Sequence, residues 1–163
     1  AMNSTQLSAL SIVNGIMIAS TIRTTITVFI FEAVLLAFGA ITWASVLPLA
    51  VAAIMVGAAF AAAMLATAAR VINDDGFFAI VGRFIIAPMM LFSGTYYPLS
   101  VLPLPLQAIG WISPLWHATQ LGRVLSYGLA VPYWLVAFHV FYLVALGVTG
   151  IWLAKIAFEK RLG

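Results

Sequence analysis

Leu91-Phe-Ser-Gly-Thr-Tyr-Tyr-Pro-Leu-Ser100, with the proline-punctuated stretch that follows it as far as Ser113-Pro-Leu-Trp-His-Ala-Thr-Gln-Leu-Gly-Arg123, decides how this chain folds. Apolar runs long enough to cross a bilayer flank it, yet it is too apolar for a simple loop. Prolines at 98, 103, 105 and 114 break it too often for a span. Pro103 and Pro105 restrict the chain at the start of a short helix over roughly 104–111. Ser113-Pro114 then reads as an N-cap followed by proline at the first helical position of a second helix, roughly 114–127. About 14 residues make about 21 Å of helix, short of the roughly 30 Å of hydrocarbon. His117, Gln120 and Arg123 fall on one face of this helix, opposite Leu115, Leu121 and Leu125. The spacing predicts an amphipathic helix that enters only the outer leaflet. Two short helices that enter and leave by one face form a re-entrant pair, tolerated where protein or a cavity covers the polar backbone.

Composition supplies the solvent. Hydrophobic residues make up 65% of the chain and charged residues 7%, with a mean hydropathy of +1.18. That is a membrane composition and no soluble domain. In hydrocarbon every backbone amide must be satisfied internally, and the long apolar runs lack the alternation of a barrel, so the expected fold is all-α: a polytopic transmembrane helical bundle. The absence of cysteine excludes disulfides, thiolate metal sites and cysteine nucleophiles. Seven Lys and Arg, scattered singly, form no basic patch for nucleic acid.

Outward from the broken segment, four spans can be drawn over roughly 22–41, 46–68, 77–95 and 133–156, in a single domain covering 1–163. A Thr42–Ser45 turn joins the first two. Asp74 and Asp75 read as turn and N-cap residues before the third. Arg70, Arg83, Lys155, Lys160 and Arg161 gather at one end, with Arg23 near its boundary and only Arg123 opposite, which places both ends of the chain in the cytoplasm by the positive-inside rule. Trp43, Tyr96, Tyr97, Trp111, Trp116, Tyr127, Tyr133 and Trp134 then form an aromatic belt at the outer face. Ala53, Gly57 and Ala61, and in a second row Ala58, Ala62 and Ala66, predict close helix packing by the second span; Gly147 and Gly150 predict it for the fourth. Pro88 should kink the third.

Pro88, Phe92-Leu-Ser-Gly94, Tyr97-Pro-Leu99, Leu102-Pro103, Pro114-Leu-Trp-His117 and Arg123, in that order, resemble the fifth span and re-entrant helices of type-2 ATP-binding-cassette (ABC-2) exporter permeases, nearest in flavour to the nodulation-factor and daunorubicin-resistance branch. Leu7-Ser-Ala-Leu-Ser-Ile-Val-Asn-Gly15 looks like the cytoplasmic coupling segment that precedes the third span in these permeases. The chain is therefore expected to be the carboxy-terminal part of a permease, its third to sixth spans. Ile16, where a lysine often follows the coupling glycine, and Arg83 inside the third span are departures from the family pattern.

The resemblance implies an exporter in a bacterial-type cytoplasmic membrane, built of two permeases, identical or related, and two ATPase subunits. No Gly-x-x-x-x-Gly-Lys-Ser/Thr loop occurs, so ATP and Mg belong to the partner ATPase and this chain holds no cofactor. Coupling residues would be Leu7, Ser8, Leu10, Ile12 and Val13, within 5–14. Phe92, Ser93, Gly94, Tyr97, His117 and Arg123 would shape the outer end of the substrate path. The substrate is expected to be amphipathic, a lipid-linked molecule or hydrophobic drug, because the path has few charges.

Glu32 joins the substrate-path or gate list on its own physics. An ionised carboxylate near the middle of a span costs at least about 2.5 kcal/mol, so it should face protein, water or cargo, or sit protonated against a neighbouring hydroxyl. Arg23, about 13.5 Å away along the helix, is too far to pair with it. Thr21, Thr24, Thr25 and Thr27 offer hydroxyls in the same span. His117 and His139 have no paired spacing and no acidic neighbour, so no metal site and no catalytic residue is expected. A membrane channel or a membrane-embedded lipid-modifying enzyme are the alternatives, the first needing a polar lining and the second acid-base groups that converge at one depth.

Overall fold

The computed structural model describes residues 8–71 and 75–162. Within them the chain is helical and contains no strand: α1 (Ala9–Ala37), α2 (Trp43–Ala68), α3 (Asp75–Val81), a π-turn (Gly82–Ile86), α4 (Ala87–Phe92), α5 (Leu104–Ile112), α6 (Pro114–Tyr127) and α7 (Tyr133–Leu162), with a 3-10 turn at Leu99–Val101. Leu7, the start of the expected coupling segment and Asp74 lie outside the described residues.

Among the described residues, three helices are long and apolar enough to cross a membrane: Ala9–Ala37, Trp43–Ala68 and Tyr133–Lys160. The first differs from its sequence expectation. It begins at the N-cap Ser8, whose Oγ accepts the Ser11 N–H at 3.1 Å, and continues without a break through the stretch read as a separate coupling segment. Nothing between Ser8 and Ile22 stops a helix, since Gly15 is a weak breaker with helix formers on both sides. The turn to α2 falls at Phe38–Thr42, earlier than the expected Thr42–Ser45, because Gly39 at φ +67° ends α1.

The order in which residues meet fixes the helix directions. Val13 of α1 meets Leu65 and Ala66 near the end of α2, and Thr24 meets Gly57 in its middle, so α1 and α2 are antiparallel. Gly147 meets Ala59, Gly150 meets Ala62, and Ala154 shares a core with Ala66, so α2 and α7 run parallel. The most extensive packing in the molecule is between these two helices. The two small-residue rows of α2 divide the work: Gly57 faces α1, while Ala62 and Ala66, joined by Ala59, face α7. A β-carbon on Gly150 would lie 2.7 Å from the carbonyl carbon of Ala62, so the helices touch backbone to backbone there.

Parallel α2 and α7 require the intervening chain to return the length of the bundle. The return leg is Gly76–Phe92, shorter than the three long helices. Pro88 acts on it in an unexpected way. A proline ring clashes with the carbonyl four residues earlier and offers no N–H. The helix meets this demand by widening into a π-turn just ahead of the proline, with the Ala87 N–H bonded to the Gly82 carbonyl. The expected kink is thus a local change of helix type.

α5 and α6 form a helical hairpin. Ile109, Ile112 and Pro114 share a cavity with Phe84, Ile85, Pro88 and Met89, and Pro114 and Leu115 share another with Val56, Gly57 and Phe60, halfway along α2. The far end of α6 reaches Tyr127, and Gly128 at φ +68° caps it and turns the chain towards α7.

The α2–α7 contact predicts a contrast between neighbouring glycines. Gly150→Ala should cost about 1–3 kcal/mol by forcing the backbones apart, whereas Gly147→Ala, whose β-carbon meets Ala59 at an ordinary 3.5 Å, should not destabilise. Thermal unfolding of both variants in detergent checks this; equal melting temperatures would contradict the backbone contact.

Candidate functional site at the hairpin and the α1–α2 groove

Four of the expected path residues converge where α4 ends. Ser93 is fully buried; its Oγ donates to the Met90 carbonyl at 3.3 Å and lies 2.7 Å from the Thr95 hydroxyl, which in turn is 3.3 Å from the Thr119 hydroxyl on α6. Gly94 takes φ +75°, which turns its carbonyl towards α6. Arg123 Nη2 donates to that carbonyl at 2.6 Å. A charged donor on a backbone carbonyl is a strong hydrogen bond, typically about 1.5–3 kcal/mol. Phe92 takes part through its backbone: its carbonyl lies so near Gly110 of α5 that any β-carbon there would meet it at 2.5 Å. Tyr97 is half-buried just beyond this corner. The Phe92–Gly94 corner and the hairpin are therefore latched as one unit.

His117 corrects the sequence reading of α6. The face carrying His117 and Gln120 was expected to oppose the face carrying Leu121, yet His117 and Leu121 are both buried, at 1% and 3% exposure, and the Gln120 Oε1 is closed off as well. Residues four apart share a helix face, and tertiary packing turns this one inward. There His117 meets His139 of α7, Nδ1 to Nδ1 at 2.7 Å. Its ring stacks on Tyr142 at 3.9 Å between centroids. Trp116, expected in the outer belt, instead packs edge-on against both histidines. The Tyr142 hydroxyl donates to the carbonyl of Ile112 at the hairpin corner.

The tautomers follow from these partners. His117 Nε2 lies 3.0 Å from the carbonyl of Trp111, which can only accept, so Nε2 carries the proton. At 2.7 Å one Nδ1 of the pair must accept from the other, and a neutral His117 ring protonated at Nε2 offers Nδ1 as that acceptor. Its Nδ1 is then an acceptor and His139 Nδ1–H the donor. His139 Nε2 is left with a buried lone pair and no partner among the described residues. The direct contact occupies both Nδ1 atoms, and no cluster of three or more His, Cys, Asp or Glu occurs among the described residues. Sequence spacing gave no sign of this pair, because 22 residues and two helix ends separate its members.

Glu32 lies apart from the hairpin. It is 4% exposed, and neither carboxylate oxygen has a hydrogen-bond partner among the described residues. It lines a groove of about 440 Å³ between α1 and α2, with Arg23, Thr27, Phe31, Leu49 and Ala53 among the other walls. The nearby threonines do not reach across to it: Thr21, Thr25 and Thr27 each donate to the carbonyl four residues back in α1. Of the coupling residues, Ser8 caps α1 and Leu10 is exposed, but Val13 is wholly buried against Leu65, Ala66 and Ala154, so it faces the bundle and no outside partner.

The family of ABC-2 type transporters matches residues 2–127, which include α1 to α6. The chain belongs to the ABC-2 type transporter family. No curated protein and no solved structure matches the chain. It is accordingly a multi-pass membrane protein and a permease subunit of an ABC transporter.

The tautomer assignment for this permease predicts that nitrogen-resolved NMR of labelled protein near pH 7 finds His117 protonated at Nε2 and His139 at Nδ1. The opposite pattern, or two imidazoles that titrate independently, would contradict the pair.

Proposed function

We propose that this permease exports an amphipathic molecule, a lipid-linked compound or hydrophobic drug, driven by ATP hydrolysis in a partner ATP-binding-cassette subunit that carries the nucleotide and Mg. The observation that carries this reading is the α5–α6 hairpin. In this permease it packs on α2 and α7 and is latched near the start of α7 through His117 and Tyr142 and to the end of α4 through Arg123. A hairpin held by polar pins suits a gate at the exit side. The re-entrant geometry, the cytoplasmic position of both ends, the inner-membrane location, the pairing with a second permease and the likeness to the nodulation-factor and daunorubicin-resistance branch belong to the same proposal. So does the assignment of the chain to the third to sixth spans of such a permease.

Coupling would run through the amino-terminal end of α1. There Ser8 and Leu10 are exposed and Ile12 is half-buried, while Val13 ties the same turn to the ends of α2 and α7. A push on that turn is passed directly to both long helices. The position of Val13 narrows the partner-facing set to Ser8, Leu10 and Ile12, with Leu7 completing it.

Leu10→Asp with Ile12→Asp, in the full-length permease reconstituted with its ATPase, should weaken the complex by about tenfold or more and abolish ATP-dependent export while the bundle stays folded. Export that persists unchanged would sink the coupling scheme.

A further inference from the structure

We infer that the groove between α1 and α2 binds the cationic head of an amphiphile through the carboxylate of Glu32. This rests on the exporter reading above and deepens it by naming the cargo as an amphiphilic amine.

Two independent observations point to a ligand. The first is a groove of about 440 Å³, within the usual range for sites that enclose a small organic molecule. The second is the carboxylate itself, which is buried with both oxygens unpartnered. Neutral and protonated, Glu32 would still leave a donor and an acceptor unused; ionised, it is an uncompensated charge in an apolar wall. Either state is improved by a cation with N–H donors, and no described residue bonds the carboxylate. Arg23 shares the groove but stands nine residues earlier on α1, about 13.5 Å along the helix, and no ion pair joins the two.

The rest of the groove describes the other half of the ligand. Phe31, Leu49 and Ala53 give an apolar wall, and Phe31 is largely exposed along its edge. Glu32 forms part of the wall, so a change of side-chain rotamer presents its carboxylate to a head group. An amphiphile lying with its apolar body against Phe31 and Leu49 and its ammonium on Glu32 satisfies the apolar wall and the carboxylate, and keeps its charge at the Glu32 end, away from Arg23. A neutral lipid satisfies only the apolar wall, and an anionic one meets Glu32 as a like charge.

The test is equilibrium binding to the protein in phosphatidylcholine nanodiscs, with empty discs subtracted. It compares rhodamine 6G, a cationic amphiphile, with Nile red, an uncharged one. Rhodamine 6G should bind saturably and lose about tenfold or more in affinity in Glu32→Gln, while Glu32→Asp retains most of it. Nile red should be nearly insensitive to either change. Ala53→Leu, which fills the groove and leaves the charge alone, should weaken both dyes. Equal rhodamine 6G affinity in wild type and Glu32→Gln, or no saturable binding above empty discs, overturns the inference. So does protection of Phe31 by a second copy of the chain that dyes cannot displace. Binding needs no ATPase: loss of the Glu32 effect with ATP-driven transport intact defeats this inference alone, and intact dye binding without ATP-driven transport defeats the exporter reading alone.

Discussion

The backbone contact between α2 and α7 is the constraint on which the rest of the molecule depends. In a lipid environment apolar side chains gain nothing by leaving their surroundings for one another, so helices are held by close packing and polar pins. Ala59, Ala62 and Ala66 opposite Gly147, Gly150 and Ala154 bring the two backbones together along several turns. Because this contact is parallel, the chain between the helices must travel back once. The return leg through α3 and α4 and the hairpin that follows it are consequences of that requirement. α1 completes the bundle by setting Val13 into the same core and Thr24 against Gly57.

The hairpin is attached by a different kind of interaction. α6 packs along α2 and α7, and the ends of α5 and α6 expose carbonyls that need donors. Arg123 satisfies Gly94, His117 satisfies Trp111, and Tyr142 satisfies Ile112. Each pin closes a backbone group at a chain corner, which an apolar surrounding would otherwise leave costly. Polar residues in α6 therefore point into the protein.

Much of the architecture could be read from composition and punctuation. Long apolar runs announced the spans, Ser113-Pro114 announced the start of α6, and Gly147 and Gly150 announced a close neighbour that proved to be α2. Pairing across the fold could not be read. His117 and His139 carry no local signal of their contact, and the helix period of α6 was consistent with a polar face turned to either side. Val13 looked like part of a partner-facing segment because a continuous α1 and a separate coupling helix have the same composition. The π-turn before Pro88 shares its sequence signature with an ordinary proline kink. Glu32 was legible as an anomaly, since a carboxylate amid Ile30, Phe31 and Val34 needs a reason; that its oxygens have no partner required the structure.

The central claim is that the α5–α6 hairpin dips into the bilayer from the end at which α7 begins. The chain contains no cysteine, so single probes can be placed without background. Spin labels on Leu104→Cys, Ile112→Cys and Tyr127→Cys, all at exposed positions, can be read in liposomes for accessibility to oxygen against a water-soluble nickel complex. The account predicts a label at 112 deep in hydrocarbon, favouring oxygen, with labels at 104 and 127 near the headgroups. A label at 112 as accessible to nickel as those at 104 and 127 would contradict it and leave the hairpin outside the membrane.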